Sequence, residues 1–194
     1  MKNRIVLLAF LASAAALILA CNEQPKTTAE AAAPTQEDLV KRGEYLITTM
    51  GCNDCHTPKV MGPNGPELDQ SRLLSGHPAE QPLGKVDTTM LKDWAFFAPT
   101  LTAAVGPWGV TYSANLTPDD TGIANWTEEQ FKKAIKEGKS KGMDGTRPLL
   151  PPMPWQNYVN ISDEDVKAMF TYLKSLKPVK NVVPQPQPLS AVSM

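Results

Sequence analysis

The stretch Cys52-Asn53-Asp54-Cys55-His56 constrains this chain more than any other feature. Two cysteines three positions apart, with a histidine directly after the second, are typical of covalent haem attachment. The thiols bond to the haem vinyl groups and the imidazole ligates the iron. On one helical turn, this spacing places both sulfur atoms along one porphyrin edge and points the histidine at the metal. We therefore predict one haem c attached through Cys52 and Cys55, with His56 as the proximal iron ligand.

Three other interpretations of two cysteines at this spacing are less favoured. A zinc site needs four ligands, and beyond the motif the sequence offers only His77 or a carboxylate, with no second Cys/His pair. A thiol-disulfide oxidoreductase also uses two cysteines at this spacing, but it requires a strand before them, and here a helical pattern precedes Cys52. It stays as a distant alternative. A structural disulfide would close a very short loop, which restricts the unfolded chain little.

The N-terminal segment has the charge and hydropathy pattern of an export signal. Lys2 and Arg4 are followed by an apolar run from Ile5 to Ala20. This run is shorter than the roughly 20 residues that a membrane-spanning helix needs. We therefore expect residues 1–20 to be a signal peptide that is removed on export.

Cys21 follows the apolar run directly, and Ile18-Leu19-Ala20-Cys21 resembles a bacterial lipobox. We predict a lipid on Cys21, and a flexible tether over the polar, alanine-rich residues 21–35. The protein is then exported and held by its lipid on the periplasmic side of a bacterial membrane. The chain has three cysteines, so lipidation and haem attachment leave none for a further disulfide.

Three amphipathic stretches with N-terminal caps predict helices over residues 36–50, over residues 128–138, and from residue 162 to about residue 177. Their predicted starts are capping boxes that pair Thr35 with Asp38, Thr127 with Gln130, and Ser162 with Asp165. Gly43 lies on the apolar face of the first helix, where glycine lowers helix propensity. Its presence there indicates that another helix approaches closely.

Residues 57–118 hold many of the chain's 18 prolines and 12 glycines and show no sustained period. We expect ordered loops there, with short helical turns such as residues 90–96, packed on the apolar haem. Residues 36–177 then form one all-α domain, with three or more helices around one covalent haem and long Pro/Gly-rich loops. The composition of residues 178–194 predicts a proline-rich tail that is either extended along the surface or disordered.

Met153 lies between prolines in the stretch from Arg147 to Trp155. Prolines fix φ and remove backbone donors, so this methionine stands on a rigid, non-helical loop, as an axial thioether requires. We predict Met153 as the distal iron ligand, with His77 as the main alternative. The competing methionines lie on helical apolar faces, at the terminus, or without such a restraint: Met50, Met61, Met90, Met143, Met169 and Met194.

The order of helix, haem motif, long loops, methionine loop and C-terminal helix resembles a class I c-type cytochrome. Over residues 36–177, the chain is more specifically similar to the cytochrome domains of membrane-bound alcohol and sugar dehydrogenases and to stand-alone lipoprotein cytochromes. The segments that carry this similarity are Asn115-Leu116-Thr117-Pro118-Asp119, Thr121-Gly122-Ile123, Trp126 and Met153-Pro154-Trp155. The resemblance implies the cytochrome c fold. It also implies that Gly43 and Ile47 pack crosswise on the C-terminal helix, near Phe170 or Leu173.

The chemistry that follows is one-electron transfer. Ligation by both His56 and Met153 leaves the iron no open site for substrate chemistry. The chain is then an electron-transfer protein and not itself an enzyme. Its partners are redox proteins: a dehydrogenase, a quinol-oxidising complex, or a terminal reductase or oxidase. The second interpretation is an electron-accepting module of a membrane-bound dehydrogenase or reductase complex. The resembling subunits carry several haem motifs, whereas this chain has one.

Two further observations complete the sequence-based prediction. The haem propionates need polar partners, and Arg147, Trp126, Trp155 and Tyr158 are candidates for these or other haem-edge contacts. The formal net charge of the chain is −1, and this balance does not favour nucleic acid as a partner.

Overall fold

The computed structural model of the protein describes residues 33–192. The predicted signal peptide, Cys21 and most of the predicted tether lie outside these residues. The described range contains four α-helices: α1 (Gln36–Thr49), α2 (Cys52–His56), α3 (Glu128–Glu137) and α4 (Asp163–Ser175). Between residues 33 and 192, no helix combines the length and hydropathy needed to cross a membrane.

Two of the predicted capping boxes are confirmed. At the start of α1, the Thr35 hydroxyl accepts a hydrogen bond from the Asp38 amide at 3.2 Å, and the Asp38 carboxylate accepts one from the Thr35 amide at 3.0 Å. Thr127 and Gln130 make the same reciprocal pair before α3. Because each box satisfies amides that have no partner within the helix, it fixes the residue at which the helix begins.

The third predicted box is half right. The Ser162 hydroxyl accepts a hydrogen bond from the Asp165 amide at 3.1 Å, as expected of an N-cap. The Asp165 carboxylate, however, does not return to the backbone. It accepts a hydrogen bond from Arg42 Nε of α1 at 2.8 Å, so a contact between two helices replaces the local one.

Helices α1 and α4 cross at Gly43, which confirms the predicted close approach. A Cβ atom at Gly43 would lie 2.6 Å from the Tyr172 Cβ and against the backbone carbonyl of Ala168. The prediction placed this crossing near Phe170 or Leu173, and the residues in contact with Gly43 are their neighbours Ala168 and Tyr172. Ile47 of α1 and Leu173 of α4 are both buried in the same hydrophobic core.

The main hydrophobic core is formed by the faces that the helical period predicts. Its buried members on α1, α3 and α4 include Leu46, Ile47, Phe131, Ile135, Val166, Met169 and Leu173. Leu74 and Ile123 join it from the loops that connect the helices. Burial of these side chains is the main favourable term for the helical part of the fold.

The expectation of an all-α fold is wrong for the long loop region, which forms two small antiparallel sheets. The first is the hairpin of β1 (Lys59–Gly62) and β2 (Gly65–Leu68). The second has the order β3-β4-β5, with β3 (Phe96–Phe97), β4 (Ala103–Gly106) and β5 (Gly109–Tyr112). A 3-10 turn at Thr88–Lys92 overlaps part of the predicted helical turn. The second sheet covers its own small core of Leu91, Val105 and Val110.

The proline-rich segment after α4 is extended and bound to the rest of the fold. Val110 of β5 and Gln187 exchange two backbone hydrogen bonds, of 2.8 and 3.0 Å. Leu189 and Val192 pack against the small core of the second sheet. Asn181 is buried, with 3% of its surface exposed. Of the two predicted alternatives, the extended one therefore describes this segment up to Pro188, after which Leu189–Ala191 form a 3-10 turn.

Candidate functional site

The motif Cys52–His56 forms the short helix α2 directly after α1. Gly51 separates the two helices with a left-handed backbone, φ 72°, a conformation that glycine adopts without steric cost. Neither cysteine forms a disulfide, and both are partly buried. One helical turn carries both thiols and the histidine, so the folded chain has the arrangement that their spacing predicts.

The two thiols are not tuned as a redox pair. Burial raises the pKa of Cys52 to about 11, and it also raises the pKa of Cys55. A catalytic thiol of an oxidoreductase needs the opposite shift, because the thiolate is the nucleophile. A helix, not a strand, precedes the motif. Both observations disfavour the thiol-disulfide oxidoreductase interpretation.

His56 is oriented by one hydrogen bond. Its Nδ1 atom lies 2.8 Å from the carbonyl oxygen of Ala114. A carbonyl oxygen only accepts, so Nδ1 carries the hydrogen and Nε2 keeps its lone pair. Burial lowers the pKa of His56, which favours the neutral ring. A neutral imidazole with a free Nε2 and a hydrogen-bonded Nδ1 is the form that ligates iron.

The loop after the motif is fixed by Thr57, which is fully buried. Its hydroxyl donates to the Asn53 Oδ1 atom at 2.8 Å and accepts from the Leu74 amide at 2.9 Å. The Gly76 amide donates to the carbonyl oxygen of His56 at 2.8 Å. Residues 74–76 thus pack directly on the end of α2.

Lys59 places a cation at the C-terminal end of α2. Its Nζ atom donates to the carbonyl oxygens of Asn53 at 3.2 Å and Asp54 at 2.8 Å, and also to that of Thr57. Three acceptors match the three donors of an ammonium group, whereas a neutral amine has two. The last carbonyls of a helix favour such a cation.

Met153 is partly buried in a loop that is held at several points. The Leu149 amide donates to the Gly138 carbonyl at 2.6 Å. The Thr111 hydroxyl of β5 donates to the Pro151 carbonyl at 2.8 Å. Three residues after Thr111, Ala114 accepts the hydrogen bond of His56. One segment, residues 111–114, therefore contacts both the methionine loop and the histidine.

His77, the alternative distal ligand, is fully buried and its ring nitrogens are both engaged. Nδ1 lies 2.9 Å from the Thr102 hydroxyl and Nε2 lies 3.1 Å from the Gln81 carbonyl. The Gln81 carbonyl only accepts, so Nε2 carries the hydrogen and has no lone pair for iron in this arrangement. These contacts argue against His77 as an iron ligand in this arrangement.

The four candidate haem-edge residues have different surroundings. Tyr158 donates a weak hydrogen bond of 3.4 Å to the Met50 carbonyl, two residues before Cys52, and burial raises its pKa. Trp126 packs against the main core. Trp155 stacks on the backbone at Gly138. Arg147 is exposed, with its guanidinium bound to the Pro148 carbonyl.

Sequence reasoning missed the residues that support the site through the backbone, namely Thr57, Lys59, Thr111 and Asn181. None of them belongs to a motif with a fixed spacing. Lys59 binds carbonyls within six positions, whereas partners of Thr111 and Asn181 lie 40 and 106 positions away. Among residues 33–192, no three or more His, Cys, Asp or Glu side chains are grouped to hold a metal ion. The zinc interpretation therefore has no ligand set in that range.

The donors at α2 fit a covalently bound haem. The two free thiols occupy one helical turn, and the hydrogen bond to Ala114 leaves His56 Nε2 available to iron. Cys52 and Cys55 would hold the porphyrin, and His56 would be its proximal ligand. The group itself would supply a one-electron redox couple.

Comparison with known proteins agrees with this site. The family model described as Cytochrome c matches residues 40–177. The fructose dehydrogenase cytochrome subunit of Gluconobacter japonicus is 31% identical over 173 residues, which cover 88% of this chain and 28% of the relative. The gluconate 2-dehydrogenase cytochrome c subunit of Pantoea cypripedii is 34% identical over 135 residues, covering 69% of this chain and 22% of the relative.

A third relative is the cytochrome c subunit of the alcohol dehydrogenase (quinone) of Gluconobacter oxydans (strain 621H). It is 32% identical over 145 residues, which cover 74% of this chain and 23% of the relative. The matched part is thus about a quarter of the length of each of these relatives. The family match spans more than half of the present chain, from α1 to the end of α4. The chain therefore belongs to the cytochrome c family of covalent-haem electron carriers.

Proposed function

We propose that the chain is a mono-haem electron carrier with His56 and Met153 as axial ligands, anchored by a lipid at Cys21 on the periplasmic side of a bacterial membrane. The observation that carries the haem site is the 2.8 Å hydrogen bond from His56 Nδ1 to the Ala114 carbonyl. It selects the tautomer with Nε2 free for iron. The loop around Met153 is held by Thr111, which supports a permanently bound thioether.

Each part of the chain then has a distinct task. Cys52 and Cys55 keep the haem from dissociating, and His56 and Met153 exclude water and small ligands from the iron. The soft thioether favours Fe(II), so the reduction potential lies above that of a bis-histidine site. The buried surroundings act in the same direction, because a low dielectric disfavours the additional charge of Fe(III).

The haem proposal is tested by the mass and the spectrum of the exported protein. The intact mass should exceed that of the processed chain by one haem, and a haem stain should survive denaturation. Cys52→Ala combined with Cys55→Ala should remove both signals, whereas Cys21→Ser should keep them. An exported, folded protein with two free thiols and no porphyrin would exclude the proposal and favour the thiol-disulfide oxidoreductase.

The anchor is tested separately from the haem. The wild-type protein should partition into detergent and incorporate labelled palmitate, and Cys21→Ser should do neither. The haem spectrum of both forms should be the same. If wild-type Cys21 reached solution unmodified, the lipid anchor would be wrong and the electron-carrier proposal would stand.

A second candidate function is that of an electron-accepting module within a membrane-bound dehydrogenase complex. The names of the relatives favour it, because they are cytochrome subunits of fructose, gluconate and alcohol dehydrogenases. Detergent extraction at low salt followed by affinity purification of this chain should recover a dehydrogenase in a fixed ratio if the complex is stable. Recovery of the cytochrome alone, in a form that is reduced by a separately added dehydrogenase, would favour the independent carrier.

A further inference from the structure

Asn181, in the proline-rich segment after α4, uses its whole side chain to hold one distant loop. Its Nδ2 atom donates to the carbonyl oxygens of Ser75 at 2.7 Å and His77 at 2.8 Å. Its Oδ1 atom accepts from the Ala79 amide at 2.9 Å. The residue is 3% exposed, so water does not readily replace these partners. A buried amide with both donors and its acceptor satisfied fixes the geometry of what it binds.

The loop that Asn181 holds lies against the segment that orients His56. The His77 amide donates to the Ser113 carbonyl at 2.9 Å. Gly76, with φ +79°, is so close that a Cβ atom there would lie 2.6 Å from the Ala114 carbonyl carbon. The Gly76 amide also donates to the His56 carbonyl at 2.8 Å. Residues 75–77 thus contact the backbone of both His56 and Ala114, the two residues joined by the hydrogen bond from His56 Nδ1.

The segment around Asn181 is itself fixed on its other side. The Asn181 amide donates to the Thr121 hydroxyl at 2.9 Å. Two residues earlier, the Val179 carbonyl accepts from the Asn115 Nδ2 atom at 2.8 Å. Asn115 directly follows Ala114. The segment is therefore bound to both sides of the carbonyl that His56 uses.

We propose that Asn181 is a positioning residue for the proximal iron ligand. It fixes residues 75–77, and through them the Ala114 carbonyl that sets the orientation and hydrogen-bond strength of His56. A hydrogen bond at Nδ1 makes imidazole a stronger electron donor to the metal, which favours Fe(III). Loss of Asn181 should therefore raise the reduction potential and loosen the orientation of the ring. This inference rests on the proposed function, because it takes His56 as the ligand.

The test uses Asn181→Asp and Asn181→Ala in the mature holoprotein. The aspartate keeps an acceptor for the Ala79 amide but places a carboxylate oxygen against the carbonyls of Ser75 and His77. Asn181→Ala, which adds no charge, should show a higher potential than the wild type. In Asn181→Asp the carboxylate charge itself favours Fe(III), so this variant is assessed by the NMR shifts. The hyperfine-shifted haem methyl resonances of both variants should move or split in the proton NMR spectrum of the ferric form, since these shifts report the plane of the axial imidazole.

Val105→Ala is the control for stability alone. Val105 is buried in the small core of the second sheet, in a different cluster from the helical core. Removing two methyl groups there should lower the free energy of unfolding without changing the potential or the haem methyl shifts. If the Asn181 variants behaved like Val105→Ala, with lower stability and wild-type potential and shifts, the residue would be structural only and the inference would be wrong.

Thr121→Val is a milder variant that decides the matter if the Asn181 variants yield no holoprotein. It removes the acceptor of the Asn181 amide and the Thr121 hydroxyl contacts with Asn115 and Asp119, and it leaves the Asn181 side chain in place. A smaller potential shift in the same direction is expected, and an unchanged potential would overturn the inference. A wild-type protein without haem would instead contradict the proposed function itself, so the two failures are distinguishable.

Discussion

The Thr111 hydroxyl donates a hydrogen bond to the Pro151 carbonyl oxygen at 2.8 Å. Thr111 is 7% exposed and lies in β5, while Pro151 is two positions before Met153. Farther along the same segment, the Ala114 carbonyl accepts the hydrogen bond of His56. The two candidate axial ligands, which are far apart in the sequence, are thus held by residues 111–114.

Thr111→Val should weaken the hold on Met153. The substitution keeps the shape of the side chain but leaves the Pro151 carbonyl without its donor, at a cost of about 1–2 kcal/mol. Cyanide should therefore displace the thioether more easily from the ferric protein, with an affinity increased roughly tenfold. Thr111→Ser keeps the hydroxyl and is the matched control. Equal cyanide affinity for the wild type and Thr111→Val would mean that this bond does not restrain the methionine loop.

Met153→Ala should open the sixth coordination position. The wild-type ferric protein should show the weak near-infrared band of sulfur ligation and bind carbon monoxide or cyanide poorly. Met153→Ala should lose the band and bind both ligands, and Met153→His should stay six-coordinate with a lower potential. His77→Ala is the comparison variant. Both His77 ring nitrogens already have partners, so this variant should keep the near-infrared band. A band that survived in Met153→Ala would assign Met153 to packing.

Lys59→Met should lower the reduction potential. The Lys59 ammonium group is bound to the carbonyls of Asn53 and Asp54, which lie between the two cysteines. A positive charge at the turn that carries both cysteines disfavours the additional charge of Fe(III), so its removal should lower the potential. Lys59→Arg keeps the charge and should keep most of the potential. Redox titration at low and high salt measures the effect, and a fall of equal size in Lys59→Arg would point to lost packing and not lost charge.

The helices were predictable from the sequence because their signals are local. A cap and its partner lie three residues apart, as with Thr35 and Asp38, and the apolar period falls within a single helix. The same is true of the haem motif, whose three functional side chains occupy one turn. Where a long-range partner competes, the local rule fails. Asp165 binds Arg42, 123 positions away, in place of its own N-cap amide.

The strands and the residues that support the site were not predictable, because several of the contacts that fix them join residues far apart in the sequence. β5 is four residues long and is paired on one side with Gln187 of the C-terminal segment. It pairs with β4 through a local hairpin, but the pairing with Gln187 joins residues that no short window of the sequence contains. Asn181 stands among prolines in a stretch with a disordered composition, yet tertiary hydrogen bonds hold it in the interior. His77 was a plausible ligand by residue type, and only its partners argue against it.

Gly43→Ala should destabilise the protein, although alanine favours helices. The propensity gain in α1 is about 1 kcal/mol. The added Cβ would lie 2.6 Å from the Tyr172 Cβ and against the Ala168 carbonyl, neither of which is the end of a flexible side chain. Overpacking of this kind costs about 1–3 kcal/mol, and contact with a backbone carbonyl belongs at the upper end, so a net loss of about 2 kcal/mol is expected.

Denaturation of the holoprotein in guanidinium chloride, followed by circular dichroism, measures the loss in Gly43→Ala. The matched control is Gly84→Ala, because a Cβ atom there would meet nothing within 4 Å. That variant should stay within about 0.5 kcal/mol of the wild type. If Gly43→Ala were as stable as Gly84→Ala, α1 and α4 would separate at little cost. The crossing would then not hold α2, which directly follows α1, in a fixed position.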